Sequence, residues 1–259
     1  MAYSGGALDL FSVWHKAGWL RLGPGSGICE LGAQEVNDDV TDETIWSFVR
    51  SFYPESGDDT TLRAELARTG GARCHMSALC GAAGFRYLAL DVDVRPGTVR
   101  FDLNRDHIDE SWRGAFDLTT NQGTMEHVIN QLHCLTIMHD VTAPGGTLLF
   151  NLPFVGTLNH GFYQYNPKFV AALALANNYQ ILKMLVSGPV DHGYFGKDHS
   201  IFESDYHPQL DRIEGSGNWA DVKLFTGGYL VLLRKVNDAE FQIPTDYGPG
   251  TFDLLANLP

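Results

Sequence analysis

The stretch ICELGAQ, Ile28–Gln34, decides the fold of this chain of 259 residues. A short apolar run there leads into an acidic residue and a glycine, which is how many nucleotide-type cofactor sites begin. Gly32 suits such a turn because a side chain would block the approach of the backbone to a cofactor, and because glycine tolerates unusual backbone angles. The stretch therefore predicts a first buried strand that ends at a cofactor-binding turn.

Three more strand-like runs end in polar residues and follow the first in order. They are Tyr87–Asp91, Val99–Asp102 and Ala115–Asn121. Nearly continuous apolarity is typical of buried strands in a parallel sheet. Later apolar runs accordingly predict further strands over residues 147–152, 179–186 and 228–236. Together with the first stretch, these runs predict a seven-stranded sheet.

Apolar residues at helical spacing separate these strands. They predict helices over residues 41–49, 61–68, 76–83, 125–140 and 168–178. Strands that alternate with helices imply an α/β fold with a doubly wound, mostly parallel sheet. Such a sheet binds its ligands at the carboxyl ends of the strands.

We expect a single domain over residues 1–259, with three regions added to the alternating core. Residues 1–27 predict an N-terminal helical extension, whose glycine-rich turn precedes the first strand and so cannot cradle a phosphate after it. About 55 residues separate the first two strands, whereas a simple crossover needs about a dozen. Residues 36–84 are therefore interpreted as a helical insertion that contributes to a lid, and residues 153–220 as loops on the substrate side.

The composition excludes several classes of partner. A formal net charge of −13 and a pI near 5.0 argue against a nucleic-acid backbone, which normally requires a basic surface. No apolar run approaches the ~20 residues that span a bilayer, and the first residues do not combine a basic segment with an apolar one as secretory signals do. The four cysteines form no CxxC pair and are expected to be buried, reduced thiols. We expect a cytoplasmic protein without nucleic-acid or membrane partners, of unspecified oligomeric state.

The four polar-ended strands together resemble the S-adenosylmethionine-binding half of class I methyltransferases. Phe116–Leu118 followed by Gly123–Val128, GTMEHV, is similar to the "fDlv…EHv" segment of many small-molecule members of this family. Pro144–Gly146 with the strand after it matches the next characteristic sequence segment of the family. The likeness extends from about Ile28 to Asn178, although Ala33 and Glu35 stand where the family commonly has further glycines.

The resemblance implies a Rossmann-like methyltransferase fold, S-adenosylmethionine as the cofactor and a small-molecule acceptor. Glu30 would face the methionine end of the cofactor, and Asp91 would accept hydrogen bonds from the ribose hydroxyls. Asp102 would accept one from the adenine amine, while Leu103 packs on the ring. The full cofactor-binding set predicted in this way is Glu30, Gly32, Asp91, Asp102, Leu103 and Asn121.

Methyl transfer is an in-line displacement at a sulfonium carbon, so the protein mainly has to hold the acceptor close to the methyl group. A base helps if the acceptor is a hydroxyl or an ammonium, and His127 and His160 are the candidates because imidazole titrates near neutral pH. Tyr163 and Asn166 are predicted substrate-binding residues, since their loop mixes aromatic rings with polar groups. The alternatives are a structural role for His127 and a loop that only caps the next helix.

No metal site is predicted. Residues 191–207 are rich in aspartate and histidine, which are good ligands for divalent metals, but the glycines among them indicate a solvated loop. His127, His133 and His139 are spaced by six and so lie scattered around a helix. Two other functions stay open: a methyltransferase-like protein that binds the cofactor without turnover, and a nicotinamide oxidoreductase, which the missing GxGxxG motif disfavours.

Overall fold

The structure is a computed structural model that describes residues 2–57, 59–67, 71–155, 160–187, 201–203 and 227–246. Its elements in chain order are β1 (Ala2–Tyr3), α1 (Gly5–Lys16), β2 (Gly27–Leu31), β3 (Glu35–Val36), α2 (Asp42–Phe52), α3 (Thr60–Leu66), β4 (Cys74–His75), α4 (Met76–Ala82), β5 (Arg86–Asp91), β6 (Thr98–Arg100), β7 (Phe116–Gln122), α5 (Gln131–Val141), β8 (Thr142–Val155), α6 (Pro167–Asn177), β9 (Gln180–Ser187), β10 (Ile201–Glu203) and β11 (Gly227–Arg234). Single 3-10 turns occupy Glu110–Trp112 and Met125–His127.

The central sheet has the strand order β10-β9-β11-β8-β7-β2-β5-β6. Neighbours from β8 through β7, β2 and β5 to β6 are parallel, whereas β11 is antiparallel to both β8 and β9. The chain winds outward from β2 to β6 and then returns to β7, so the direction of winding switches between β2 and β7. The predicted α/β class is confirmed: the chain forms a doubly wound, mostly parallel sheet with a helical insertion after the first strand of that sheet. Beyond the seven predicted strands, β10 adds a short antiparallel one.

Two apolar clusters cover the two faces of this sheet. Strand β8 shows the division, because Leu149 belongs to one cluster while its neighbours Leu148 and Phe150 belong to the other. The first cluster also contains the buried side chains of α1, α2 and α4, and the second contains those of α5 and α6. Since both faces are covered, open space for a ligand is left at the strand ends.

The helix α2 begins where the sequence predicts. Thr41 is extended, and its hydroxyl accepts a hydrogen bond from the backbone N–H of Thr44, as a helix N-cap does. The predicted continuous helix over residues 125–140 is wrong in its first part. Extended backbone at Val128 ends the 3-10 turn, and α5 begins only after Asn130, whose side chain caps it.

The sequence predicts a strand that begins after Pro144–Gly146, but these three residues lie inside β8. The helix α5 already ends at Val141, and β8 begins at the next residue. The left-handed φ of 81° at Gly145 lets the strand deform there, and the pairing with β7 shifts its register nearby. This family-like segment therefore lies within the strand, whereas the sequence predicts it before the strand.

A second sheet of three short strands, in the order β1-β3-β4, joins the N-terminal extension to the insertion. Strand β1 pairs in parallel with β3, and β3 pairs with β4. All four cysteine side chains are buried, as expected. Across the described ranges, none of the helices combines the length and the apolarity needed to cross a membrane.

Candidate functional site

A cavity of about 640 Å³ lies at the carboxyl ends of the parallel strands. Its volume falls within the range of about 300–1,000 Å³ that is typical of small-molecule sites. The segments after β2, β5, β6 and β7 and the loop after β8 contribute its walls. Its lining is Gly32, Ala33, Gln34, Leu90, Asp91, Val92, Asp93, Arg95, Phe101, Asp102, Leu103, Asn104, Gly123, Thr124, His127, Val128 and His160.

Gly32 forms the turn at the end of β2. Its φ is 78°, a left-handed conformation that favours glycine. A Cβ atom there would lie 2.2 Å from Oγ1 of Thr124, so a side chain has no room. The backbone N–H of Gly32 donates a hydrogen bond to the carbonyl of Leu90. The turn is thereby held against the end of β5.

Asp91 lies at the end of β5 and lines the cavity. One carboxylate oxygen accepts a hydrogen bond from the N–H of Ala33 at 2.8 Å, and the other accepts one from the N–H of Asp93 at 3.0 Å. Each carboxylate oxygen has two lone-pair positions, so both oxygens can accept a further hydrogen bond from a ligand. The carboxylate is thus fixed in orientation and still able to bind hydroxyl groups.

Asp102 and Leu103 form the wall after β6. Hydrogen bonds from the backbone and side-chain N–H groups of Asn104 lower the pKa of Asp102, and Nε of Arg105 lies 2.9 Å from its carboxylate. The carboxyl group is therefore charged at neutral pH. Leu103 is a buried apolar neighbour beside it. The pair supplies one acceptor and one apolar surface to the same cavity.

Asn104 holds this wall to the opposite side of the site, a role that the sequence analysis missed. Its side-chain oxygen accepts hydrogen bonds from the N–H groups of Ile129 and Asn130, both at 3.1 Å. The wall after β6 is thereby tied to the segment between β7 and α5. The D-x-N spacing of Asp102 and Asn104 is the local signal for the turn, because such side chains commonly bond the backbone two residues away.

Glu30 is not among the described residues that line the cavity. The residue is 1% exposed, and its carboxylate accepts hydrogen bonds from Tyr3 at 2.8 Å, from Thr120 at 3.1 Å and from Tyr87. Burial raises the pKa of Glu30 to about 7, although these hydrogen bonds oppose the shift. In this structure Glu30 binds the N-terminal segment to the sheet, while its role toward the cofactor stays a prediction.

Asn121 likewise lies outside the lining. It is fully buried at the end of β7, and its side-chain oxygen accepts hydrogen bonds from the N–H of Thr124 at 3.3 Å and of Met125 at 2.8 Å. The side chain thus shapes the turn that carries Thr124 and His127 into the cavity. The structure supports an indirect contribution to the site.

His127 and His160 come together at the cavity from the loops after β7 and β8. Their ring centroids are 5.0 Å apart, and both residues are exposed. Between them lies Glu126, which the sequence analysis did not select. Its carboxylate is fully buried, with Oε1 3.5 Å from Nε2 of His160, and burial raises its pKa. The EH pair in the family-like segment was the only sequence signal for this cluster.

Tyr163 and Asn166 lie in the loop after His160 but outside the cavity lining of the described residues. The Tyr163 hydroxyl donates to the carbonyl of Ile129 at 3.1 Å. Asn166 caps α6 by accepting from the N–H of Lys168. The Asn166 contact matches the alternative of a loop that caps the next helix, and substrate binding by both residues stays a prediction. The aspartate- and histidine-rich segment 191–207 falls outside the described residues, apart from 201–203.

No protein-family model matches the chain, and no curated protein matches it either. Solved structures resemble its fold at low identity. Phosphoethanolamine N-methyltransferase 2 from Haemonchus contortus, in complex with phosphomonomethylethanolamine and S-adenosylhomocysteine, is 9% identical with a TM-score of 0.47. The similarity covers 88% of this chain and 53% of that one, so the chain spans about half the length of that protein.

Two further neighbours act on different acceptors. The 1,6-didemethyltoxoflavin-N1-methyltransferase of Burkholderia thailandensis, with its bound substrate and S-adenosylhomocysteine, is 10% identical, covers 89% and 78% of the two chains and has a TM-score of 0.44. A 16S rRNA adenine methyltransferase of Catenulisporales acidiphilia, with S-adenosylmethionine, is 11% identical, covers 87% and 91% and has a TM-score of 0.39. These neighbours are methyltransferases, and they hold S-adenosylmethionine or S-adenosylhomocysteine.

Proposed function

We propose that this protein transfers a methyl group from S-adenosylmethionine to an oxygen or nitrogen atom of a small molecule. One observation carries the proposal: the Gly32 turn, the Asp91 carboxylate and the Asp102–Leu103 wall converge in a single cavity. They follow three adjacent strands, in the order β2, β5 and β6. Four of the six cofactor residues that the family resemblance selects from separate parts of the sequence thus line one cavity.

The chemistry of these side chains fits the adenosyl part of the cofactor. The Asp91 carboxylate retains acceptor positions for the two ribose hydroxyls. Asp102 offers an acceptor for the adenine amine, and Leu103 offers an apolar surface for the ring. Gly32 keeps side-chain atoms away from the turn, so that its backbone remains accessible. When bound, S-adenosylmethionine supplies an electrophilic methyl carbon attached to a sulfonium.

The bound cofactor would supply the methyl group to the lone pair of the acceptor atom, and its sulfur would keep the electron pair of the broken carbon–sulfur bond. The acceptor atom releases its proton, which His127 or His160 accepts in this proposal, because both imidazoles line the cavity. Most of the rate enhancement is expected from in-line positioning of the two reactants.

The size of the cavity and the charge of the protein support a small acceptor. A volume of about 640 Å³ is near that of typical small-molecule sites. A net charge of −13 disfavours a nucleic-acid substrate, since phosphate contacts depend on a basic surface. A cytoplasmic location is part of the same proposal, and buried cysteine thiols suit a reducing compartment.

Two measurements test the function. Calorimetric titration of S-adenosylhomocysteine, with NAD as the control ligand, reports the cofactor class. Transfer of label from methyl-labelled S-adenosylmethionine to a panel of hydroxyl and amine compounds reports turnover. We expect the first ligand to bind and NAD to give no heat. Binding without any transfer would favour the non-catalytic alternative, and binding of NAD instead would favour an oxidoreductase.

A further inference from the structure

We propose that Glu126, His127 and His160 form a site for a divalent cation at the edge of the cavity. Two imidazoles and one carboxylate are the donor set of first-row transition metals, such as Zn²⁺ and Co²⁺, more than of Mg²⁺ or Ca²⁺. The cation site does not depend on the proposed methyl transfer. What the cation site implies about the acceptor compound does rest on the proposed methyl transfer.

The three side chains offer one donor atom each, and these atoms all lie within 4.8 Å of one another. Among the described residues, this is the one group of three histidine, cysteine, aspartate or glutamate side chains with such spacing. Metal–ligand distances of about 2.1 Å separate two donors by at most about 4.2 Å. The rings must therefore draw slightly closer around an ion, which the exposed imidazoles of His127 and His160 are free to do.

The state of Glu126 is the second observation that points to a cation. The residue is 0% exposed, yet neither carboxylate oxygen accepts a hydrogen bond from any described residue. Its nearest basic atom is Nε2 of His160, 3.5 Å from Oε1. A buried carboxylate that accepts no hydrogen bond is costly. A cation held between the carboxylate and the imidazoles would supply the missing interaction.

The backbone holds the loop that carries His160 against Glu126. The carbonyl of Glu126 accepts hydrogen bonds from the N–H of Phe162 at 2.7 Å and of Tyr163 at 3.3 Å. At Gly161, a Cβ atom would lie 2.8 Å from that same carbonyl oxygen, so the two chain segments are in close contact. The loop that carries His160 is thereby anchored on Glu126 itself. Ligands held by such supporting contacts are preorganised for binding.

Three protein ligands leave coordination positions for a substrate, as in catalytic metal sites. Because the histidines line the cavity, an acceptor there could coordinate through an oxygen atom. A cation lowers the pKa of a coordinated hydroxyl, so that its proton can leave to water at neutral pH. If the proposed methyl transfer holds, the favoured acceptor class is a hydroxyl compound. In the metal-loaded protein the imidazoles act as ligands, and their role as proton acceptors applies to the metal-free protein.

The test is a titration of the protein with CoCl₂, followed by the visible absorption bands of coordinated Co²⁺. We expect bands that saturate at one equivalent and that ZnCl₂ removes. His127→Gln and His160→Gln should each weaken Co²⁺ binding at least about tenfold, since even supporting residues of metal sites contribute that much. Glu126→Gln should do the same. Because both histidines are exposed, their variants are informative even if the Glu126 variant fails to fold.

His107→Gln is the matched control. His107 packs edge-to-face against His133 with ring centroids 5.7 Å apart, in a histidine pair that belongs to no such cluster of the described residues. We expect this variant to bind Co²⁺ like the wild type. The absence of bands in the wild type, equal weakening by His107→Gln, or binding that persists in both cavity variants would each overturn the site. S-adenosylhomocysteine calorimetry on the metal-free protein reports separately on the proposed function.

Discussion

The carboxylate of Asp91 accepts a hydrogen bond from the backbone N–H of Ala33 across 2.8 Å. This bond joins the end of β5 to the turn after β2. The residue proposed to hold the ribose therefore also fixes the turn that the cofactor must approach. Cofactor binding and the shape of the turn depend on one side chain.

Asp91→Ala is accordingly expected to weaken binding of S-adenosylhomocysteine at least about tenfold, because hydrogen bonds to a charged group contribute about 1.5–3 kcal/mol. Asp93→Ala is the matched control. Asp93 also lines the cavity, but its carboxylate pairs with Arg95 at 3.2 Å. Calorimetry measures the affinity of both variants for S-adenosylhomocysteine. An unchanged affinity in folded Asp91→Ala would remove this residue from the cofactor site.

Gly32→Ala tests the turn by steric exclusion. The new Cβ atom would lie 2.2 Å from Oγ1 of Thr124, in addition to the strain of a φ of 78°. Gly145→Ala carries the same kind of strain, with a φ of 81°, but meets no described atom within 4 Å.

We expect Gly145→Ala to lose about 1–2 kcal/mol of unfolding free energy, the cost of a left-handed alanine, and to keep its affinity for S-adenosylhomocysteine. Gly32→Ala should lose more stability and bind at least about tenfold more weakly, since Thr124 must move. Urea unfolding and calorimetry measure the two quantities. Equal behaviour of the two variants would show that the close contact with Thr124 is unimportant.

Asn121→Ala separates support of the site from contact with the cofactor. The change leaves the N–H groups of Thr124 and Met125 without their acceptor, which costs about 1–3 kcal/mol for a buried group. We expect a loss of unfolding free energy of this size and a smaller loss of cofactor affinity than for Asp91→Ala. A large loss of affinity at unchanged stability would instead place Asn121 in contact with the cofactor.

Glu30→Gln should change how stability depends on pH. Burial raises the pKa of Glu30 from 4.5 to about 7, so the folded protein retains a proton that the unfolded chain releases between these values. The wild type therefore loses unfolding free energy as pH rises through this window, on the order of 3 kcal/mol in total. The variant does not titrate at this position and lacks this loss.

Urea unfolding of both proteins at several pH values between about 5 and 8 isolates the effect, because other titrating groups cancel in the difference. The difference between wild type and variant should move in favour of the variant as pH rises and become constant above the folded pKa. A difference that is independent of pH would show that Glu30 titrates in the ordinary range.

The fold could be predicted because its signals are local. Strand ends such as Leu90–Asp91 combine an apolar run with a polar terminus, and both are visible within a few residues. In a parallel sheet these ends share one edge, so Asp91, Asp102 and Leu103 were correctly expected near Gly32. The sequence signal for Thr41 as the first residue before α2 is local in the same sense.

Glu30 and Glu126 show what local patterns cannot supply. Two of the partners of Glu30 are Tyr3, 27 residues before it, and Tyr87, 57 residues after it. Its position at a strand end looks the same in the sequence as that of Asp91, but an N-terminal segment covers it. The approach of His160 to Glu126 likewise depends on the path of the loop after β8. Neither contact leaves a repeating pattern in the sequence from which it could be inferred.

The strand β11 lies between β8 and β9, although it follows both in the chain. During synthesis, β8 and β9 leave the ribosome first, and each keeps an edge open until residues 227–234 emerge. Open strand edges pair readily with other chains. A nascent chain that ends before residue 227 would therefore present both edges to other chains, and the insertion of β11 closes them.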